Sequence, residues 1–272
     1  MSTLIMKFGG ASVATPKHFS RIADIILQRK QEYERIVTVV SAMGNTTDEL
    51  ISLAKQVHPN PPRREYDMLV TVGERISISL LAMALSLKEQ EAVSFTGSQS
   101  GIITTDDHTE ARIIDVRPYR LIPCLQEEKV VIVAGFQGVS MNKEITTLGR
   151  GGSDTTAVAL GIALEAECVE FYKDVAGIFE RDPKKFPEST CYSCLTYAQS
   201  RKIIDSGAKV LSIRCLDLAE KNGIPLWVRS FDDDSDDQGT RIFDRNLVLP
   251  VQPIYEYTCQ NMRETGRISN CV

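Results

Sequence analysis

Short runs that are apolar at almost every position alternate along the chain with longer stretches in which apolar residues recur every three or four positions. Residues 4–8, 36–41, 92–95, 130–134, 168–172 and 226–229 read as strands. Strands without polar alternation are the kind that helices cover on both faces. Thr15 followed by Pro16 gives a cap and a first-turn proline, opening a helix towards Lys30. Residues 74–88, 154–167, 197–206 and 213–222 carry the same helical period. The alternation predicts βαβ units: an α/β chain with a mainly parallel central sheet in three layers.

Two segments interrupt the pattern. Residues 58–64, HPNPPRR, hold three prolines and two arginines and read as a loop or a break between helices. Residues 232–237, DDDSDD, read as a solvated tip or loop in preference to a cation site. No repeat of solenoid period is present. Residues 243–272 contain a strand-like LVLPV and are too few for a second regular domain. The expected organisation is one unit over 1–242 and a short C-terminal extension over 243–272.

Composition narrows the class. A chain of 272 residues with 43% apolar and 25% charged residues can bury a sizeable core without staples. Its 31 Lys and Arg against 36 Asp and Glu give a net charge of -5, which argues against nucleic acid as a partner. A few cations could still gather around a small anion. No uninterrupted apolar run reaches the roughly 18–20 residues that span a bilayer, so no membrane partner is expected. The start, MSTLIMKFGG, lacks the features of a signal peptide, which points to the cytoplasm. Seven scattered cysteines fit free thiols. Cys191 and Cys194 have metal-like spacing, but no second pair or histidine pair completes a site, so an incidental role and no resident metal are expected. His18 reads as a polar surface residue and Trp227 as core.

The candidate chemistry lies where strands end. Lys7-Phe8-Gly9-Gly10-Ala11-Ser12 closes an apolar strand with a lysine and a glycine pair. Glycines let backbone N–H groups approach phosphate oxygens while the lysine adds a full charge. The spacing matches neither GxxxxGK[ST] nor GxGxxG, so a P-loop and a dinucleotide fingerprint lose their support. Gly149-Arg150-Gly151-Gly152-Ser153-Asp154-Thr155-Thr156 leads a glycine-rich loop into a helix, a ready anion site where Arg150 can grip a carboxylate or phosphate with two bonds. The competing reading assigns Ser153 and Asp154 to N-capping. Tyr172-Lys173-Asp174 with Phe179 and Arg181-Asp182 ends another strand in a polar loop, where open α/β sheets place ligands. Ser41 and Thr46-Thr47-Asp48 follow a further strand, and Glu74 stands in a first helical turn, suited to the helix dipole or to a substrate ammonium.

Taken in order, KFGGAS, VVSAMGNTTDEL, GER, GFQG, GRGGSDTTA, KDVAGIF with RDP, and GAKVLS resemble the aspartokinases of the amino acid kinase family, from about residue 4 to about residue 242. The resemblance implies a three-layer αβα sandwich and transfer of the γ-phosphoryl group of MgATP to the β-carboxylate of L-aspartate. It also implies a homodimer. By resemblance, Lys7 neutralises the transferring phosphoryl, Asp154 orients that lysine and the acceptor, and Gly9, Gly10 and Ser12 line the phosphate path. Arg150, Ser153, Thr47, Ser41 and Glu74 match aspartate-binding positions. Lys173, Asp174, Phe179, Arg181 and Lys209 match ATP-binding positions. Phe179 replaces a frequent tyrosine, Lys173 a threonine, Ala176 an aspartate, and Ser212-Ile213 a His-Pro pair. The paired regulatory ACT domains of most aspartokinases have no counterpart in this sequence, so activity insensitive to lysine and threonine is expected. The rivals are a kinase of glutamate, acetylglutamate or another acid in the same family, and a non-catalytic paralogue that binds amino acid or nucleotide.

Overall fold

The apolar runs assemble into one twisted sheet with helices on both faces. The computed structural model describes residues 1–208, 210–232, 238–245 and 247–257. The elements in chain order are β1 (Thr3–Phe8), α1 (Pro16–Arg29), β2 (Arg35–Val40), α2 (Thr46–Val57), α3 (Arg63–Val70), α4 (Val72–Leu87), β3 (Ala92–Phe95), β4 (Ile102–Thr104), β5 (Ile113–Val116), α5 (Leu121–Gln126), β6 (Val130–Ala134), β7 (Gln137–Ser140), β8 (Ile145–Thr147), α6 (Gly152–Ala163), β9 (Cys168–Lys173), β10 (Cys194–Leu195), α7 (Tyr197–Asp205), α8 (Ile213–Asn222), β11 (Leu226–Ser230) and β12 (Thr240–Ile242). The main sheet has the order β10-β12-β11-β9-β1-β2-β6-β3. Every neighbouring pair in it is parallel except β11 with β12.

The six strands read from the sequence form to within one residue at each end. Their alternate side chains enter two cores. Leu4, Met6 and Phe8 pack with Phe19, Ile22, Leu81 and Leu85 of α1 and α4. Ile5 points the other way, with Val37 and Val39, into Ala157 and Leu160 of α6 and Leu216 of α8. Lys7 continues the row of Ile5, so the strand itself aims the one charged residue of β1 at α6.

Other parts of the chain depart from the sequence reading. A second, mixed sheet, β5-β4-β7-β8, is built from strands of three or four residues rich in threonine, too short and polar to show a period. Helices α2, α3 and α5 are also additional. The expected helix over 154–167 stops at Ala163, where Glu165 turns to φ 50° and the Ala166 N–H returns to the Gly161 carbonyl. Residues 58–62 do separate two helices, α2 from α3, with Pro62 at the cap of α3, while Arg63 and Arg64 of the expected break already open α3. LVLPV joins no strand: Val248 and Val251 are exposed, and Leu249 lies over Gly223. Of the acidic stretch, residues 233–237 lie outside the described residues.

Among the described residues one helical stretch, Arg63–Leu87, has the length and mean hydropathy of a membrane span, 1.6 over its most apolar window. It is two helices sharing Thr71 as a junction, and α4 packs on α1, β3 and β6. On that same face of the main sheet, fully buried Glu170 accepts from Arg29 at 2.6 Å, Arg229 at 3.3 Å and the Tyr172 hydroxyl at 2.7 Å. Trp227 is buried as expected, its ring facing the guanidinium groups of Arg229 and Arg241 at 4.3 Å each. His18 is half-buried with its ring edge on Phe231, so it is a packing residue more than a surface one.

Candidate active site

The carboxyl ends of β1, β2 and β9 meet the N-terminus of α6 over a pocket of about 290 Å³. The glycine pair after β1 turns the chain into a short 3₁₀ segment, Ala11–Val13. The Gly10 carbonyl accepts from Gly44 N–H, which ties this turn to the one after β2. Lys7, Gly10, Ser41, Thr47, Glu74, Arg150, Ser153 and Asp154 all line this one pocket, as the sequence led us to expect.

Its charged centre is a triad of buried Lys7 and Asp154 with half-buried Lys173. Lys7 Nζ stands 2.5 Å from Asp154 Oδ1, and Lys173 Nζ stands 3.3 Å from Asp154 Oδ2. Burial pulls the Lys7 ammonium below its ordinary pKa; Lys173 adds to this and Asp154 opposes it. Burial alone would raise the Asp154 carboxyl, but Lys173 and Lys7 hold it below the usual range. The site therefore carries one carboxylate between two ammonium groups, a net positive point at strand ends. Lys173, expected among the nucleotide contacts, here sits with Lys7 at the positive centre.

The GRGG loop supplies the other wall. Gly149 and Gly151 take φ 72° and 76°, conformations that favour glycine, on either side of Arg150. Gly151 caps α6 with no side-chain cap bond, so the N-capping reading of Ser153 and Asp154 does not hold. Both side chains instead face the pocket. Arg150 is exposed and has no ion-pair partner among the described residues. Upstream, buried Asp67 of α3 accepts from Thr147 Oγ1 at 2.7 Å and from the N–H groups of Thr147 and Thr109, fixing the strand that feeds this loop.

Glu74 lines the same pocket. One carboxylate oxygen accepts from Ala42 N–H at 3.3 Å; the other, Oε2, is buried and has no partner among the described residues. Burial pushes the Glu74 carboxyl up to about 7, against the bonds from its own N–H and that of Ala42. A buried acceptor left open beside a pocket is a place for a ligand's donor.

Other expectations fall elsewhere. Ser12 is buried and donates to the Tyr172 carbonyl at 3.4 Å, so it ties the 3₁₀ segment to β9 and does not line the pocket. Gly9 lies against the Lys7 ammonium. Asp174 pairs with Lys184 at 2.7 Å, Phe179 bridges to Cys191, and Arg181 stacks on Phe186 near Glu188. These three form a surface loop after β9 and do not line the pocket. Lys209 lies outside the described residues. The pocket also uses Ala42, Gly44 and Phe136, which the sequence reading did not single out. Phe136 adopts φ 70°, rare for an aromatic residue, and its N–H donates to Thr156 Oγ1 at 3.2 Å. The GFQG motif was the available signal for it.

The amino acid kinase family model matches residues 2–230. The chain belongs to the amino acid kinase family. It is 50% identical over 231 residues to an aspartokinase of Mycolicibacterium smegmatis, covering 85% of this chain and 55% of that one. It is 45% identical over 253 residues to an aspartokinase of Corynebacterium glutamicum, covering 93% and 60%. The chain thus spans little more than half the length of these curated relatives. Among solved structures, an aspartate kinase from Synechocystis superposes with a TM-score of 0.81 at 42% identity, over 92% of this chain and 41% of that one. E. coli aspartokinase III in complex with aspartate and ADP superposes at 0.78 and 26% identity, over 90% and 65%. The sheet order and the paired faces described above are the amino acid kinase fold, and the pocket lies at its strand ends.

Proposed function

We propose that this amino acid kinase transfers the γ-phosphoryl group of MgATP to the β-carboxylate of L-aspartate, giving 4-phospho-L-aspartate and ADP. The observation that carries the reading is the pocket's division of charge. Two ammonium groups converge on Asp154, and Arg150 and Glu74, whose Oε2 has no partner among the described residues, line the same pocket as Lys7 and Asp154. An amino acid with two carboxylates and one ammonium matches that arrangement. Glu74 takes the ammonium, Arg150 takes one carboxylate, and Ser41, Thr47 and Ser153 supply hydroxyl groups. The second carboxylate is left facing Lys7.

Phosphoryl transfer asks the protein mainly for positioning and for positive charge around the moving group. A β-carboxylate oxygen attacks the γ-phosphorus as the bond to the bridging oxygen of ADP breaks. Lys7 and Lys173 offset the negative charge that gathers there, and Asp154 keeps both amines in place without itself exchanging a proton. Gly9 and Gly10 bring backbone close to the phosphates. Asp174, Phe179, Arg181 and Lys209 extend the nucleotide side. Among the described residues no cluster of His, Cys, Asp or Glu could cage a metal, and both oxygens of Asp154 already face ammonium groups. The residues thus fit no resident ion; Mg²⁺ belongs to the MgATP substrate, carried on phosphate oxygens and water. The same reading makes residues 1–242 the catalytic unit of a cytoplasmic homodimer.

The test is ATP-dependent hydroxamate formation from aspartate and hydroxylamine, with glutamate in parallel. Aspartate should be preferred by at least about 10-fold, the value of one methylene in a fitted site. Equal or faster turnover of glutamate would reassign the acceptor, and no turnover of any acidic amino acid would leave a binding protein.

A further inference from the structure

Two contacts from the first turn of α8 hold the loop that carries Arg150. Ser212, the N-cap of α8, donates its hydroxyl to the Gly151 carbonyl at 3.4 Å. The Arg214 guanidinium donates to the Leu148 carbonyl, and at 3.0 Å to that of Ala111. Leu148 and Gly151 bracket Gly149 and Arg150. Both bracketing bonds matter because Gly149 and Gly151 occupy left-handed conformations that glycine leaves easily, so the loop has little stiffness of its own.

Arg214 is in turn gripped by a residue far along the chain. Glu256 accepts from Nε at 2.6 Å and from Nη2 at 2.8 Å, a bidentate pair. Its Oε2 also accepts from Ile113 N–H at 2.9 Å, and its side chain is only 8% exposed. Tyr255 packs on the core beside it, and Tyr257 N–H reaches the Ile113 carbonyl. Residue 256 lies outside the family-matched span of 2–230, so the family resemblance gives it no role.

We propose that Glu256 is a positioning residue for the acceptor site: it fixes Arg214, which fixes Leu148, and so sets where Arg150 meets a carboxylate. A free arginine side chain samples many rotamers. Clasped by Glu256, it holds its two carbonyl partners in one geometry. What Arg150 grips rests on the reading under Proposed function; that Glu256 holds the loop does not.

The experiment compares wild type with Glu256→Ala and Glu256→Gln in the full chain, by hydrogen exchange and by kinetics. In Glu256→Ala, amides of residues 149–153 should exchange faster, with the far side of the sheet unchanged. The KM for aspartate should rise by about 10-fold or more, with the KM for ATP moving less than about twofold. Glu256→Gln keeps a single acceptor oxygen, which can serve Ile113 N–H and Arg214 Nη2 while its NH2 group faces Arg214 Nε–H, so it should fall between the two. A purely structural role would lower the melting temperature and the active fraction while leaving the aspartate KM in place, and that result overturns the proposal. Unchanged exchange at 149–153 overturns it as well. Should wild type fail to use aspartate, the acceptor assignment fails separately, and the exchange data alone decide whether Glu256 holds the loop.

Discussion

Lys7 Nζ and Asp154 Oδ1 stand 2.5 Å apart, brought together from the end of a strand and the first turn of a helix 147 positions later. Because Lys173 approaches the other oxygen of the same carboxylate, Asp154 separates one buried and one partly buried cation. Replacing it by asparagine leaves those cations facing one another. Asp154→Asn should destabilise the fold by about 3–5 kcal/mol, the usual cost of breaking a buried pair, and should also abolish turnover. The further change Lys173→Met should restore much of the melting temperature without restoring activity. Thermal denaturation of the single and double variants, beside their hydroxamate assay, separates the two effects.

Glu74 gives a pH signature. Burial raises its pKa from an ordinary 4.5 to about 7 in the free protein. The folded state therefore binds this proton more tightly than the unfolded chain. The resulting stability is fully present below pH 4.5 and is lost as pH rises through about 7. Glu74→Gln removes that loss, so its stability relative to wild type should grow between these limits and level off above them, by up to about 3 kcal/mol. Denaturant titrations at several pH values measure it.

Catalysis should show the opposite preference. Only the ionised Glu74 can pair with an ammonium, so the KM for aspartate should rise as pH falls below about 7. In Glu74→Gln that acid limb should vanish and the KM should be high throughout. A mutant profile parallel to that of wild type would exclude Glu74 as the ammonium site.

Arg150 is exposed and has no ion-pair partner among the described residues, so it should matter to substrate and not to folding. Arg150→Ala should leave the melting temperature almost unchanged while weakening aspartate binding by roughly 10- to 100-fold, the span of one charged hydrogen-bonded contact. Arg150→Lys should recover little, since a point charge cannot reproduce two parallel bonds. Calorimetric titration with aspartate reads both.

The Glu170 cluster should behave in reverse. It lies on the α1 face of the sheet, the face opposite Lys7. Glu170→Ala strands Arg29 and Arg229 together and should cost about 3–5 kcal/mol. The substrate KM values of the surviving folded protein should not move.

Much of this was legible beforehand, for physical reasons that differ from element to element. Leu4–Met6 and Val130–Ala134 announce themselves because a strand covered on both faces admits almost no polar residue. Lys7, Arg150 and Asp154 announce themselves because charge and glycine at strand ends have few structural uses. The small sheet stayed hidden, since three-residue strands such as Ile145–Thr147 carry no period and are fixed by neighbours distant in sequence. Ser12 turns its hydroxyl to the Tyr172 carbonyl, a placement the sequence does not show because a hydroxyl after a glycine pair can face inward as readily as outward. Phe136 was missed although GFQG contains it, because nothing in a single sequence says that a phenylalanine there turns left-handed and lines a pocket. Glu256 was missed because its worth depends on Arg214, 42 positions away.

The wall formed by Gly135 and the GRGG turn has a consequence for attempts to alter acceptor choice. A Cβ added at Gly135 would stand 2.7 Å from that of Ser153, and one at Gly152 would stand 2.7 Å from that of Leu148. Both glycines are pressed by the side chains of Ser153 and Leu148, so neither can take a larger residue without displacing a neighbour. Libraries seeking a longer acid should leave those glycines fixed and diversify Thr47 and Ser41, whose side chains line the same pocket.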